Sequence, residues 1–358
     1  QLAVRGIRNM FNVVKNFDQA TADLASILGV TTDQMSELTN QAMELGAATI
    51  FTASQVSELQ KEYAKLGFTQ EEIKGVTEAT LELAAATGSD LGTSATVVGS
   101  TLRAFGLDVS ETQRVVDVMA KSFSASSLDM EKFTTAMRSV APVAKNAGFS
   151  IEETTALIGT LTDAGVDAST AGTGLRNVFL ELAKSGMTFD EAMSEINNSA
   201  NKNATSLALF GKRGAVIGTV LAESGVSADA LTEKLENAGG AAKEMADKQL
   251  NTLGGAVKLL TSAWEGFILK LNSSSGAGET LTKIIKFLAE NLEAILNGII
   301  LITKAFGAYT ITVKAAAAVN NLFGKSVIKN IKGAGLWAAA LVLVVAAVIS
   351  VVNRILDA

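Results

Sequence analysis

The side chains able to do chemistry in this chain are carboxylates, hydroxyls and lysines, because histidine and cysteine are both absent. Their absence removes the usual general base, the usual zinc ligands, thiol nucleophiles and disulfides. What remains is a set of acidic clusters at Glu71–Glu72, Glu152–Glu153 and Glu191–Glu195. Two carboxylates can divide acid and base roles when their surroundings push their pKa values apart. Nothing in the spacing singles out such a pair. Each cluster falls in the first turn of an expected helix, where negative charge meets the positive end of the helix dipole. The stretch Gly165–Gly174, GVDASTAGTG, has the glycine and hydroxyl content of a phosphate loop. It lacks the Gly-Lys-Ser/Thr ending and the preceding strand, and reads as a tight turn with a small-residue helix contact. Gly92-Thr93-Ser94 reads the same way. No basic cluster is interleaved with aromatics, and the formal charge of −6 also argues against a nucleic-acid partner. No catalytic residue, metal ligand or cofactor is assigned, and the chain is read as non-enzymatic.

The elements that carry these residues are expected to be helices throughout. Apolar residues make up 48% of the 358, aromatics only 5%, and Pro142 is the one proline. That mix favours closely packed helices over a sandwich or barrel. Residues 2–28 form an amphipathic helix by spacing, with Val4, Ile7, Phe11, Val14, Phe17 and Leu24 on its apolar face. After it, a three-part punctuation recurs: a glycine, an apolar residue, then a hydroxyl or aspartate. It begins at Gly29, Gly67, Gly106, Gly148, Gly165, Gly186 and Gly225. Glycine takes the left-handed conformation that ends a helix, and the third residue caps the next one. Capping boxes follow at Thr31 with Gln34, Thr69 with Glu72, Ser150 with Glu153 and Thr188 with Glu191.

Counting Gly29, Gly67, Gly106, Gly148, Gly186 and Gly225, the intervals are 38, 39, 42, 38 and 39. A period near 40 is that of a two-helix repeat. The expectation is an all-α fold, an array of αα-hairpins over about 30–230, with mid-unit breaks at Gly46, Gly88, Ser124–Ser127 and Gly165. An irregular helical domain with glycine-ended helices stays open as the alternative. The best-marked stretch is Gly46–Ile73. There Thr52 and Gln55 form one capping box, and Gly67-Phe68-Thr69 closes the helix and opens the next.

The partition that follows is an N-terminal amphipathic helix over 1–29 and a helical domain over 30–238. A long amphipathic helix comes next over 239–272, striped by Leu250, Leu253, Val257, Leu260, Trp264, Phe267 and Leu271. A Ser/Gly linker occupies 273–279, and an increasingly apolar region 280–358. Gly333–Asn353 is 21 residues without a charge, enough for a helix of about 30 Å, the thickness of a bilayer's apolar core. Leu336, Trp337, Leu341, Val345, Val348 and Val352 are its candidate membrane-insertion residues, with Trp337 placed to anchor at the interface. A helix buried inside an oligomer is the alternative. Residues 294–323 make a weaker insertion segment, interrupted by Lys304 and Lys314. Lys325, Lys329 and Lys332 precede the apolar run, and Arg354 follows it. No signal-peptide pattern opens the chain, and its start at Gln1 suggests an excerpt of something longer.

Several of these segments resemble a known family. They are Leu45–Val56 (LGAATIFTASQV), Ala64–Thr69 (AKLGFT), Leu83–Gly88 (LAAATG) and Leu102–Leu107 (LRAFGL), then Ser139–Ala144 (SVAPVA) and Ala171–Arg176 (AGTGLR). On them, residues 30–183 resemble the minor-tail domain of phage tail tape measure proteins. The segment around Leu253–Leu271 is similar to the helix that commonly follows it. The resemblance implies a structural virion protein that fills the tail tube in several copies and sets its length. Tail tube protein and tail-tip or baseplate proteins would assemble around it, with tail assembly chaperones. At infection it would leave the lumen, and its hydrophobic segments would help DNA across the host inner membrane. Some members carry a peptidoglycan hydrolase, and none is apparent here. Members are usually longer than this chain. As one continuous helix, 358 residues would reach only about 540 Å, and the glycine stops argue against a rod. The expectation is a foldable part plus a membrane-active tail, cut from a longer protein. A pore-forming helical toxin and an α-solenoid membrane adaptor are the readings from other classes.

Overall fold

The computed structural model describes residues 2–274, and over them the chain is helical, with no strand. The helices are α1 (Leu2–Leu28), α2 (Ser36–Ala48), α3 (Ala53–Lys65), α4 (Gln70–Thr87), α5 (Leu91–Phe105), α6 (Thr112–Ala125) and α7 (Met130–Asn146). They continue as α8 (Ile151–Asp163), α9 (Ala168–Ser185), α10 (Phe189–Asn198), α11 (Lys202–Glu223), α12 (Gly225–Glu236), α13 (Ala241–Leu250) and α14 (Leu253–Ser274). Thus α13 and α14 divide the 239–272 stretch at Asn251–Thr252. The candidate membrane segment 333–353, the weaker one at 294–323 and most of the 273–279 linker lie outside the described residues. Among the described residues no helix is long and apolar enough to cross a membrane.

The chain divides into two compact units. One joins Gln1–Lys65 to the segment from Leu250; the other is Leu66–Gln249. In the first, α1 and α2 pack on α3, and α14 returns to lie on α2 and α1. Leu24, Met35, Leu38, Val56, Leu59 and Tyr63 are among its fully buried side chains. Each such apolar side chain stabilises the fold by about 1.5–3 kcal/mol relative to exposure.

In the second unit the hairpins stack in two rows. Helices α4, α6 and α8 follow one another in one row, and α5, α7, α9 and α11 in the other. Neighbouring hairpins therefore start at Gln70, Thr112 and Ile151, the spacing that the glycine intervals anticipate. The repeat then changes. Helix α10 packs on α11, and the place beside α8 and α6 is taken by α12. Helix α8 is enclosed on all sides: Ile151 to Leu161 are buried apart from Glu153, which is half-buried. Its threonines show how an enclosed helix accommodates hydroxyls. Thr154 donates to the Ser150 carbonyl at 2.7 Å, whereas the Thr155 and Thr160 hydroxyls are buried without a partner.

Local chemistry explains where the helices stop. Gly29, Gly67, Gly88, Gly106, Gly148, Gly165 and Gly186 all have φ between 61° and 85°, the left-handed region that costs a side chain but not glycine. The hydroxyl or aspartate that follows accepts the first free amide of the next element. Thr69 accepts from Glu72, Ser150 from Glu153, Thr188 from Glu191, and Asp167 from Ser169 and Thr170. Thr52 and Gln55 exchange the same pair of bonds at 3.3 and 2.9 Å. A cap of this kind is worth about 1 kcal/mol.

Two glycines depart from the expected pattern. Gly225 is not a left-handed stop; it is the first residue of α12, after Ser224. Gly46 does not break a helix either. It lies inside α2, buried where the backbone of Ala53 presses against it, and a Cβ there would overlap Ala53. The chain leaves α2 three residues later, at Thr49.

Candidate functional site

The acidic clusters serve the helices that hold them. Glu72, Glu153 and Glu191 each turn back to accept the amide of their own N-cap residue, at 2.7, 2.7 and 2.9 Å. At Glu191 the Thr188 amide and hydroxyl hold the carboxyl below the usual glutamate range. Glu152 is buried and paired with Arg114 at 2.6 Å, while Arg114 Nε is held by Glu111 at 2.6 Å. Among the described residues no cluster of Asp or Glu could hold a metal ion.

The glycine-rich stretch 165–174 is packing. Asp167 caps α9 through Ser169 and Thr170 at 3.0 and 3.1 Å. Gly172 then lets α9 lie against the backbone of Ala136 in α7, and Gly174 lets it lie against Ile217 in α11. A Cβ at either position would overlap its neighbour. Close approach of backbones is the physical use of both glycines.

Two carboxylates cap helix starts from distant parts of the chain, one of them beside a local capping box. Asp117, on α6 and buried, accepts the amides of Gly240 and Ala242, each at 2.9 Å. It thereby fixes the start of α13. In the other unit Glu265 of α14 accepts the Ser54 amide at 3.0 Å and its hydroxyl at 2.8 Å, at the start of α3. Ser262, one turn earlier, donates to the Thr49 carbonyl. The sequence does not mark these partners, because the donors lie more than a hundred residues away.

Helix α11 holds the least ordinary backbone. Gly211 has φ 62° and ψ −176°, a region that is essentially restricted to glycine. The two halves of α11 fold back on each other around it. Ser206 donates to the Ala215 carbonyl at 2.6 Å, and the Phe210 ring covers Gly214 and Gly218. The sequence signal is Phe210-Gly211 followed by glycines at 214 and 218, spaced to leave one helix face bare.

The second unit carries a groove of about 810 Å³ between the ends of α8 and α9 and the flanks of α10 and α12. Leu157, Leu182, Met193 and Leu221 form its floor, and all four are buried. Phe149 and Phe189 form a wall, with Phe149 stacked on Phe179 at 4.2 Å and edge-on to Phe189 at 5.6 Å. Its exposed rim is acidic: Asp190, Asp229, Glu233 and Glu236, with no lysine or arginine among the lining residues. The arrangement can hold an apolar, positively charged segment. The proposed insertion residues Leu336, Trp337, Leu341, Val345, Val348 and Val352 lie outside the described residues.

Over its described residues the second unit is a two-row stack of glycine-punctuated helical hairpins. The chain belongs to the phage-related minor tail protein family, which matches residues 39–324. It is similar to the tape measure protein of Pneumococcus phage Dp-1, with 30% identity over 80% of this chain and 27% of that protein. It is also similar to the probable tape measure protein of Escherichia phage P2, at 29% identity over 82% of this chain and 42% of the relative. A third relative, the probable tape measure protein of Clostridium phage phiCD119, is 24% identical over 83% of this chain and 36% of its own length. The chain thus spans less than half the length of the curated relatives it matches. No solved structure matches it.

Proposed function

We propose that this chain is the folded part of a tape measure component of a phage tail, with a structural role and no catalysis. The observation that carries the reading is the family match over residues 39–324, joined by relatives that bear the tape measure name. In the assembled tail it resides in the lumen beside other copies of itself. Tail tube protein, tail-tip or baseplate proteins and assembly chaperones are its partners, and it helps set tail length. Stacked hairpins suit this role because each unit is stabilised chiefly by its neighbours.

At infection the chain leaves the lumen, and the uncharged segment 333–353 trades protein contacts for the host inner membrane, aiding DNA passage. Val345→Lys tests this part. A charge at the centre of an inserted helix costs roughly 2.5–3.5 kcal/mol on insertion scales. Tails carrying the substitution should assemble at normal length but deliver DNA poorly. Equal loss of assembly and DNA entry would assign the segment to packing inside the tail.

A further inference from the structure

We infer that the acidic groove of the second unit is a docking surface for the lysine-bearing segment 323–332 of a second copy of this chain. The argument rests on two charge stripes with the same spacing. On α12, Asp229, Glu233 and Glu236 stand at intervals of four and three residues, line the groove together and are exposed. Residues at these intervals share one helix face. Among the described residues none of the three carboxylates forms an ion pair.

Lys325, Lys329 and Lys332 have the same intervals of four and three. No aspartate or glutamate lies between Glu293 and Asp357, so nothing nearby in sequence neutralises them. Ile328 and Ile331 fall between the lysines, and Phe323 precedes them. As a helix laid parallel to α12, the segment brings each lysine beside one carboxylate. The interleaved apolar residues are then available to the floor of Leu157, Leu182 and Leu221. The groove supplies what such a segment needs: buried apolar floor, exposed acid rim and no competing cation. A groove on one copy filled by a segment of another is a heterologous contact, which can propagate from copy to copy. The inference stands on the purified chain alone, so it can fail while the tail reading survives, and the reverse.

The test is a charge swap in trans, with the full chain. One variant carries Asp229→Lys, Glu233→Lys and Glu236→Lys; the other carries Lys325→Glu, Lys329→Glu and Lys332→Glu. Self-association is followed by sedimentation velocity at low and high salt. The parent should associate, and added salt should weaken it. Each variant alone should associate at least about tenfold more weakly, and an equimolar mixture of the two should recover association. Zero-length carbodiimide cross-linking of mixed light and heavy isotope-labelled parent chains gives a second readout. Lysines 325, 329 and 332 should join residues 229, 233 and 236 between copies. Lys65–Glu62 and Lys248–Glu244, paired at 2.7 and 2.6 Å, are the internal controls. Association of either variant at parent strength, no recovery on mixing, or controls that react while no inter-copy groove cross-link forms would each overturn the proposal.

Discussion

Asp117 and Gly240 lie 123 residues apart, yet the Asp117 carboxylate accepts the Gly240 amide at 2.9 Å. With its other oxygen it accepts the Ala242 amide at the same distance. One buried carboxylate therefore does for α13 what the local Thr, Ser and Asp caps do for the earlier helices. Asp117→Ala should leave two amides unsatisfied and destabilise the unit by about 1.5–3 kcal/mol, the range for hydrogen bonds to a charged group. Hydrogen exchange at Gly240 and Ala242 should accelerate before exchange in α8. Unchanged protection at both amides would show that α13 is held by its apolar contacts alone.

Gly211→Ala should also destabilise, because φ 62° with ψ −176° is open to glycine and costs other residues about 1–3 kcal/mol. The alternative route for the variant is to straighten α11, since alanine favours a continuous helix. Spin labels at Leu207 and Val216, both exposed, report which occurs. The parent should show a short label separation and the variant a longer or broader one. Identical distributions and an unchanged midpoint would refute the constraint placed on Gly211.

Glu82 gives the chain an unusual pH signature. Burial, with the Asp117 and Glu78 carboxylates, holds its carboxyl above the ordinary 4.5, against the Gln113 hydrogen bond and Lys243. The folded state thus retains this proton to higher pH than the unfolded state does. Its contribution to stability declines as pH rises from about 4.5 through the folded value. Glu82→Gln removes that decline and can still accept from Gln113. The variant should melt higher than the parent at pH 7, with the gap closing below pH 4.5. A constant gap across that range would show that the proton is not the cause.

Thr155 is buried with a hydroxyl that has no partner. Thr155→Val keeps the shape and removes the unsatisfied group. Urea unfolding should show a gain of about 1 kcal/mol. A loss would mean that the hydroxyl is satisfied in solution.

How much of this was legible in the sequence depends on the reach of each signal. Capping boxes and left-handed stops were legible because both halves of each signal lie within a few residues. Thr69 with Glu72 and Gly67 before them suffice without the rest of the chain. The stacking of α4, α6 and α8 followed from the period. Its end did not: α12, and not α10, packs beside α8 and α6, and the glycines at 211, 214 and 218 mark a bare helix face without saying which later helix takes that place. Gly46 was misread as a break because only the backbone of Ala53, pressed against it, shows why glycine is needed. Glu265 and Asp117 were invisible as caps, since their donors are supplied by distant segments. The groove rim went unmarked for a similar reason. Asp229, Glu233 and Glu236 look like an ordinary solvated face until the floor beside them is seen.

The nearest-neighbour stacking of hairpins about 40 residues long also sets how the second unit would respond to tension. A pull applied to its ends loads one hairpin interface after another, because no single helix bridges the whole row. Each hairpin that gives way releases about 130–140 Å of contour at the length of an extended residue. Force–extension traces should therefore show a short ladder of near-equal steps, in place of one large rupture. A chain drawn lengthwise through a narrow passage would come apart in instalments, with Gly106, Gly148 and Gly186 marking where each ends.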